Sequence, residues 1–158
     1  MDLCKDCVPP PCPVGETCQA ACKAVDFKKY YVSDYTDLSG AKKMKAEIYK
    51  NGPIGCGVDA TDKFEKYTGG IYSERITFPQ INHEISVVGW GKDATTGEEY
   101  WIGRNSWGTY WGINGFFHIK MGSENLAIET DCTAATPSFK KHYTAEEEAY
   151  ERTQEFIF

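Results

Sequence analysis

Two apolar runs separated by one polar loop constrain this chain more than any other feature. Asn82-His83-Glu84-Ile85-Ser86-Val87-Val88-Gly89-Trp90-Gly91 opens near a histidine, and Tyr100-Trp101-Ile102-Gly103-Arg104-Asn105-Ser106-Trp107-Gly108 carries an asparagine beyond its apolar part. Ile85, Val87 and Val88 are β-branched and read as a buried strand. Gly91 to Glu98 is polar and bounded by glycine, which predicts a hairpin loop, and Tyr100 to Arg104 returns as the partner strand. A hairpin brings its two open ends together, and here those ends carry His83 and Asn105. An imidazole that serves as a base needs such a neighbour, because its second ring nitrogen must be held in one tautomer. A histidine standing alone before an apolar strand is more often structural; the pairing with Asn105 singles out His83.

At 158 residues the chain fits one domain, and 41% hydrophobic with 14% aromatic residues is enough for a real core. A net charge of −6 with no basic patch argues against nucleic acid as a partner. No apolar run approaches the ~20 residues of a membrane helix, so no membrane span is expected. No cofactor or metal is expected at the His83–Asn105 site. Met1-Asp2-Leu3-Cys4 has neither a basic nor an apolar leader stretch, so no signal peptide is expected in these residues.

Cys4, Cys7, Cys12, Cys18 and Cys22 crowd the start of the chain, interleaved with Pro9-Pro10-Pro11 and Pro13. That pattern predicts a disulfide-stapled loop made in an oxidising compartment. The alternative is a zinc site, because Cys4-x2-Cys7 and Cys18-x3-Cys22 supply four thiolates. Seven cysteines cannot all pair within the chain, and Cys132, far from the cluster, is the candidate for a partner outside it. Val25 to Asp37 alternates aromatic and polar residues and predicts an extended segment. Asp37-Leu38-Ser39 offers N-cap chemistry for a helix whose Ala41, Met44 and Ile48 share a face, and Asn51-Gly52-Pro53 stops it. Ile54, Cys56 and Val58 alternate as a strand, with Cys56 as a buried, inert thiol rather than a nucleophile. Thr61-Asp62 caps a short helix, Thr68 to Tyr72 is a turn into an extended piece, and Gly115 to Met121 is a strand in which His118 is surface or core filler. The glutamates between Glu146 and Glu155 predict a solvated acidic helix or a disordered tail.

NHEISVVGWG followed by YWIGRNSWGTYWGINGFF resembles the histidine and asparagine segments of papain-like cysteine peptidases, in the family's order. LSGAKKMKAEIYKNGPIGCGVDAT, KYTGGIY and NLAIETDCT extend the resemblance over roughly residues 18–137. Arg104 before NSWG and NLAIE before Cys132 are similar to a lysosomal carboxypeptidase branch of that family. The resemblance implies an α+β fold of two lobes. A helical left lobe carries the nucleophilic cysteine, and an antiparallel β-barrel right lobe carries the histidine and asparagine. This chain matches the right lobe, with one or two short helices: a cysteine-rich loop at 1–24, the lobe at 25–137 and an acidic tail at 138–158. It further implies peptide or protein substrates, a lysosomal or secreted location, and roles for individual residues. His83 takes the thiol proton and later protonates the leaving amine, and Asn105 fixes its ring. Trp107 covers the His–Asn hydrogen bond, Trp107 and Trp111 wall the leaving-group side, and Ile81 lines the main specificity pocket.

The departures bear on function. No QGxCGSCW-like segment occurs in the 158 residues, so the chain is expected to be inactive until a left-lobe segment supplies the thiol. The alternatives are a catalytically dead binding module and a zinc-stapled structural module. Glu84 beside His83 is expected to raise the pKa of the imidazole, and Gly103 to loosen the strand leading to Asn105. A lobe meant for a partner is also expected to expose Trp107, Trp111, Ile81 and part of Ile85 to Val88 as an apolar patch. For the cysteine cluster, thiol titration of secreted material is expected to find it oxidised; free thiols there with stoichiometric zinc reverse the assignment.

Overall fold

The computed structural model describes residues 5–8, 21–24, 28–122 and 125–139, the first two stretches as backbone only. The predicted acidic tail, and Cys4, Cys12 and Cys18 of the cysteine cluster, lie outside the described residues. In chain order the elements are β1 (Lys5–Val8), β2 (Ala21–Ala24), β3 (Tyr31–Leu38), α1 (Ala41–Asn51), β4 (Ile54–Val58), α2 (Asp62–Glu65), β5 (Ile71–Tyr72), β6 (His83–Lys92), β7 (Glu99–Arg104), β8 (Phe116–Lys120) and β9 (Cys132–Ser138). The chain divides into two units, Met1–Tyr31 with Phe139–Phe158, and Val32–Ser138. In the first, β1 and β2 pair antiparallel with Cys7 opposite Cys22 in register, and Lys28 lies over the Phe139 ring.

The second unit is built on one sheet of order β3-β9-β4-β6-β7-β8-β5. The pairs β4–β6, β4–β9, β6–β7 and β7–β8 are antiparallel, and the short β5 joins β8 in parallel. Alternation decides what is buried. Ile54, Cys56 and Val58 of β4 face inward with Ile85 and Val87 of β6, while Gly55, Glu84 and Ser86 take the other face, where Gly57 is buried beneath Ile81. Val88 follows Val87 onto the alternate face and is only partly buried, unlike the expectation of a buried Ile85–Val88 run, and a bulge interrupts the pairing between Val87 and Gly89. Met44 and Ile48 of α1 close the core from one side. Gly40, not the Asp37–Ser39 stretch, occupies the N-cap of α1, and its N–H donates to the Glu129 carbonyl.

Two cysteines find a different fate from the expected one. Cys56 and Cys132 are cross-strand partners on β4 and β9 and form a disulfide. Cys56 is therefore not a free buried thiol, and Cys132 needs no partner outside the chain. Their sequence separation of 76 residues hid the pair, because only the β4–β9 register brings them together. The odd cysteine of the seven then belongs to the N-terminal cluster.

The core is centred on Phe64, which is fully buried. Phe117, Trp111 and Tyr72 meet its ring edge-on at 5.0, 5.3 and 5.3 Å. Such edge-to-face pairs add to the area they bury. Phe64 is held by α2, whose N-cap Thr61 accepts from the Phe64 N–H at 3.1 Å. The same hydroxyl donates to Glu74 at 2.7 Å, and Tyr72 donates to that carboxylate as well.

Gly103 does not loosen its strand. A Cβ there meets the Phe117 ring at 2.2 Å, and Phe117 is its cross-strand partner. The missing side chain is the seat of the ring. Gly103→Val is expected to destabilise the unit by about 1–3 kcal/mol through overpacking. Strand propensity alone predicts the opposite sign. Denaturant unfolding of Gly103→Val, Phe117→Leu and the double variant checks it, and the double variant is expected to recover part of the loss.

Glu74 supplies an acid-linked contribution. Burial pushes its carboxyl up, but hydrogen bonds from Tyr72, Thr61 and Lys63, with the Lys63 charge, together outweigh burial and hold it below its ordinary value of 4.5. A carboxyl lowered on folding contributes stability that is present above its unfolded value and lost as pH falls through the folded one. Glu74→Gln is therefore expected to be less stable at neutral pH and to lose less stability on acidification below pH ~4.5. Thermal melts of both proteins across the acid range measure this.

Candidate active site

His83 is the first residue of β6, and Asn105 follows the last residue of β7. The strands run antiparallel with Ser86 opposite Arg104, so these two positions stand at the same end of the hairpin. His83 Nε2 lies 2.9 Å from Asn105 Oδ1. The segment entering β6 is pinned first: the Asn82 N–H donates to the Val58 carbonyl at 3.1 Å, and Asn82 Oδ1 accepts from the Ala60 N–H at 2.8 Å. Asn105 is pinned likewise, its own N–H donating to the Gly115 carbonyl at 2.9 Å.

The Ser106 N–H fixes which way the Asn105 amide points. It donates to Asn105 Oδ1 at 2.8 Å. A flipped amide sets its NH2 against that N–H, donor to donor, so the oxygen stays. An oxygen that only accepts requires His83 Nε2 to carry the hydrogen, which leaves the lone pair on Nδ1. Asn105 is 5% exposed, and its amide nitrogen is buried with no hydrogen-bond partner among the described residues. His83 is therefore held in one tautomer by a group with no freedom to turn.

Trp107 stacks on the imidazole, ring centroids 4.8 Å apart and planes 26° from parallel. It covers the face of the ring that Asn105 holds. Trp111 stands edge-on to Trp107 at 5.0 Å. It is 8% exposed, and its indole N–H donates to the Glu65 carbonyl at 2.8 Å. Trp111 is thus a buttress inside the core, not an open wall. Ile85 and Val87 are buried too, so the expected apolar patch reduces to Trp107 and Ile81. Phe64 and Phe117 close over the indole from the other side, which sequence spacing did not reveal.

Ile81 is 42% exposed and lies over Gly57, where a Cβ meets its Cγ2 at 2.6 Å. Glu84 follows His83 on a strand, so the two side chains project to opposite faces. The carboxylate accordingly lies above Gly57, its Oε1 3.4 Å from a Cβ built there, rather than against the imidazole. A cavity of about 240 Å3 on that outer face is lined by Gly55, Glu84, Ser86, Arg104, Asn105 and Ser106, among others. His118 is half-buried against Tyr100, far along β8 from His83, and burial holds its imidazole below the ordinary value. Among the described residues no cluster of histidine, cysteine and carboxylate side chains is arranged to hold a metal.

Comparisons with known proteins agree with this geometry. The model of the papain family cysteine proteases matches residues 6–136. Cathepsin Z of Onchocerca volvulus is 52% identical over 119 residues, covering 71% of this chain and 39% of the relative. The gut-specific cysteine proteinase of Caenorhabditis elegans is 34% identical over 131 residues, 78% of this chain and 39% of that protein. The chain thus spans about two-fifths of the length of these curated relatives. Among solved structures, digestive procathepsin L 3 of Tenebrio molitor larval midgut superposes with a TM-score of 0.62 at 33% identity, over 66% of this chain and 35% of that one. On the matched family model and the half-identical relative, the chain belongs to the papain family of cysteine proteases.

Proposed function

We propose that this chain is the base-bearing part of a cathepsin Z-like cysteine peptidase, a carboxypeptidase acting on peptides and proteins. The single observation that carries the reading is the Asn105 oxygen shared between the Ser106 N–H and His83 Nε2. It leaves Nδ1 of His83 with a lone pair for any thiol brought up to it. In the reaction His83 Nδ1 takes the proton of a cysteine thiol, and the thiolate adds to the scissile carbonyl. The imidazolium gives that proton to the leaving amine as the C–N bond breaks, leaving a thioester. Water, deprotonated by the same nitrogen, then hydrolyses the thioester and frees the thiol. Asn105 keeps the ring in place through both proton transfers, and Trp107 keeps water off the hydrogen bond that does so.

The thiol comes from a left-lobe segment outside these 158 residues. Cys56 and Cys132 are committed to their disulfide, and no QGxCGSCW-like stretch occurs in the sequence. That disulfide also favours an oxidising location, lysosomal or secreted.

Hydrolysis assays with and without an added left lobe test the proposal. The chain alone is expected to cleave no peptide and to take no label from a thiol-directed epoxide. With the left lobe, single residues are expected to be released from peptide C-termini, and His83→Ala to lower kcat/KM by about 10²–10⁴. Cleavage or labelling by the chain alone that disappears in His83→Ala overturns the missing-thiol part. Reconstituted activity indifferent to His83 overturns the reading as a whole.

A further inference from the structure

We infer that Glu74 is a positioning residue for His83: one carboxylate oxygen, hydrogen-bonded to both Thr61 and Tyr72, fixes Phe64 and through it holds Trp107 against the imidazole. The inference rests on the peptidase reading and adds to it a residue outside the His83–Asn105 pair. The carboxylate grips Phe64 from two sides. On one side Thr61, the N-cap of α2, accepts from the Phe64 N–H at 3.1 Å and donates to Glu74 Oε2 at 2.7 Å. On the other, Tyr72 meets the Phe64 ring edge-on at 5.3 Å, and its hydroxyl donates to the same oxygen. A single oxygen thus ties the backbone of Phe64 to a ring that packs on its side chain. Burial, and then the carboxylate it faces, pushes the Tyr72 hydroxyl up to about 12, so it stays a donor. Lys63 stands 3.4 Å from the other oxygen, Oε1.

Glu74 is itself fixed from behind. Its N–H donates to Asn125 Oδ1 at 2.9 Å, and the amide of Asn125, 1% exposed, donates to the Lys120 carbonyl at 2.9 Å. Glu74 also stands near the start of the segment that runs into His83, and that segment is stitched to residues 58–61. Thr61 bonds Glu74, Asp59 accepts from the Gln80 N–H at 2.8 Å, and Asn82 bonds both Val58 and Ala60. One end of this seam is Glu74 and the other adjoins His83. Phe64 passes the constraint on. Its ring lies 5.9 Å from Trp107 and 5.3 Å from Trp111, and Trp107 stacks on His83 at 4.8 Å. Without the carboxylate, Thr61 and Tyr72 lose their common acceptor, Phe64 gains room to shift, and Trp107 loses its backing. The stack keeps the imidazole turned so that Nε2 faces Asn105, so a looser stack lets the ring turn and the second tautomer appear.

The test uses the 158-residue chain and needs no substrate. Histidine ring nitrogens are isotopically labelled, His83 is assigned through His83→Ala, and long-range proton–nitrogen spectra read its tautomer ratio. The ring-current shift of the His83 ring protons reads the Trp107 stack. Glu74→Ala is expected to lower the ratio of the Nε2–H to the Nδ1–H form by about fivefold, the scale of one net hydrogen bond, and to reduce the ring-current shift. Glu74→Gln, which keeps an oxygen for Thr61 and Tyr72, is expected to restore most of both. Ile48→Val on α1, which loosens the same core outside this network, is expected to change neither. An unchanged ratio and shift in folded Glu74→Ala overturns the inference, as does an equal change in Ile48→Val or a Glu74→Gln as disturbed as Glu74→Ala. Should Glu74→Ala fail to fold, Tyr72→Phe decides, since it removes one hydrogen bond to the carboxylate and keeps the ring. A smaller change in the same direction there supports the inference, and no change overturns it. Hydrolysis by the reconstituted enzyme judges the peptidase reading separately.

Discussion

Everything at the site depends on the register between β6 and β7. With Ser86 opposite Arg104, the start of one strand and the end of the other coincide, and His83 meets Asn105 across a gap of one hydrogen bond. Side chains on a strand have a period of two, so a slip of one residue turns every inward group outward. Ile85 and Val87 are buried because His83 is where it is, and the reverse holds equally. Hydrophobic burial of a whole strand thus fixes the position of one polar ring. No local interaction of the imidazole is strong enough to do that alone.

The second layer of support is aromatic. Trp107 covers the imidazole, Trp111 props Trp107, Phe64 and Phe117 prop Trp111, and Gly103 leaves room for Phe117. Each contact is weak by itself, but each fixes the next in position. The chain of contacts runs from a glycine in mid-strand to His83. Thr61 and Glu74 extend it, since they hold α2 and therefore Phe64. A site of this kind is preorganised by packing, and its precision is that of the core.

The hairpin, the first helix, the strand through Cys56 and the short helix after Thr61 were legible because each has a local signal: alternation, a shared helical face, a cap or a stop. The meeting of His83 and Asn105 was legible because both lie at the ends of one hairpin. What escaped was non-local. Cys56 and Cys132 pair only through the β4–β9 register, and nothing in either cysteine's neighbourhood announces the other. Gly103 looked like a weakness because strand propensity is a property of one residue, whereas its reason is the ring on the next strand. Trp111 looked like part of an open cleft because tryptophan spacing says nothing of which face α2 will cover. Val88 escaped the reading of a uniformly buried run because adjacent strand residues face opposite sides, so Val87 and Val88 cannot both point inward.

The same alternation resolves what looked like a conflict within the motif. An acidic residue directly after His83 would compete for the imidazole if it reached it, since a carboxylate at hydrogen-bond distance takes the ring hydrogen that Asn105 accepts. On a strand that competition does not arise. His83 points toward Asn105 and Trp107, and Glu84 points over Gly57 on the other face. A loop or a helix gives no such separation between adjacent residues, because neither sends neighbours in opposite directions. The strand therefore lets a carboxylate stand one residue from His83 while Asn105 alone orients the imidazole. The glycine at position 57 completes the arrangement: Ile81 packs where a side chain would stand, so a larger residue there displaces it.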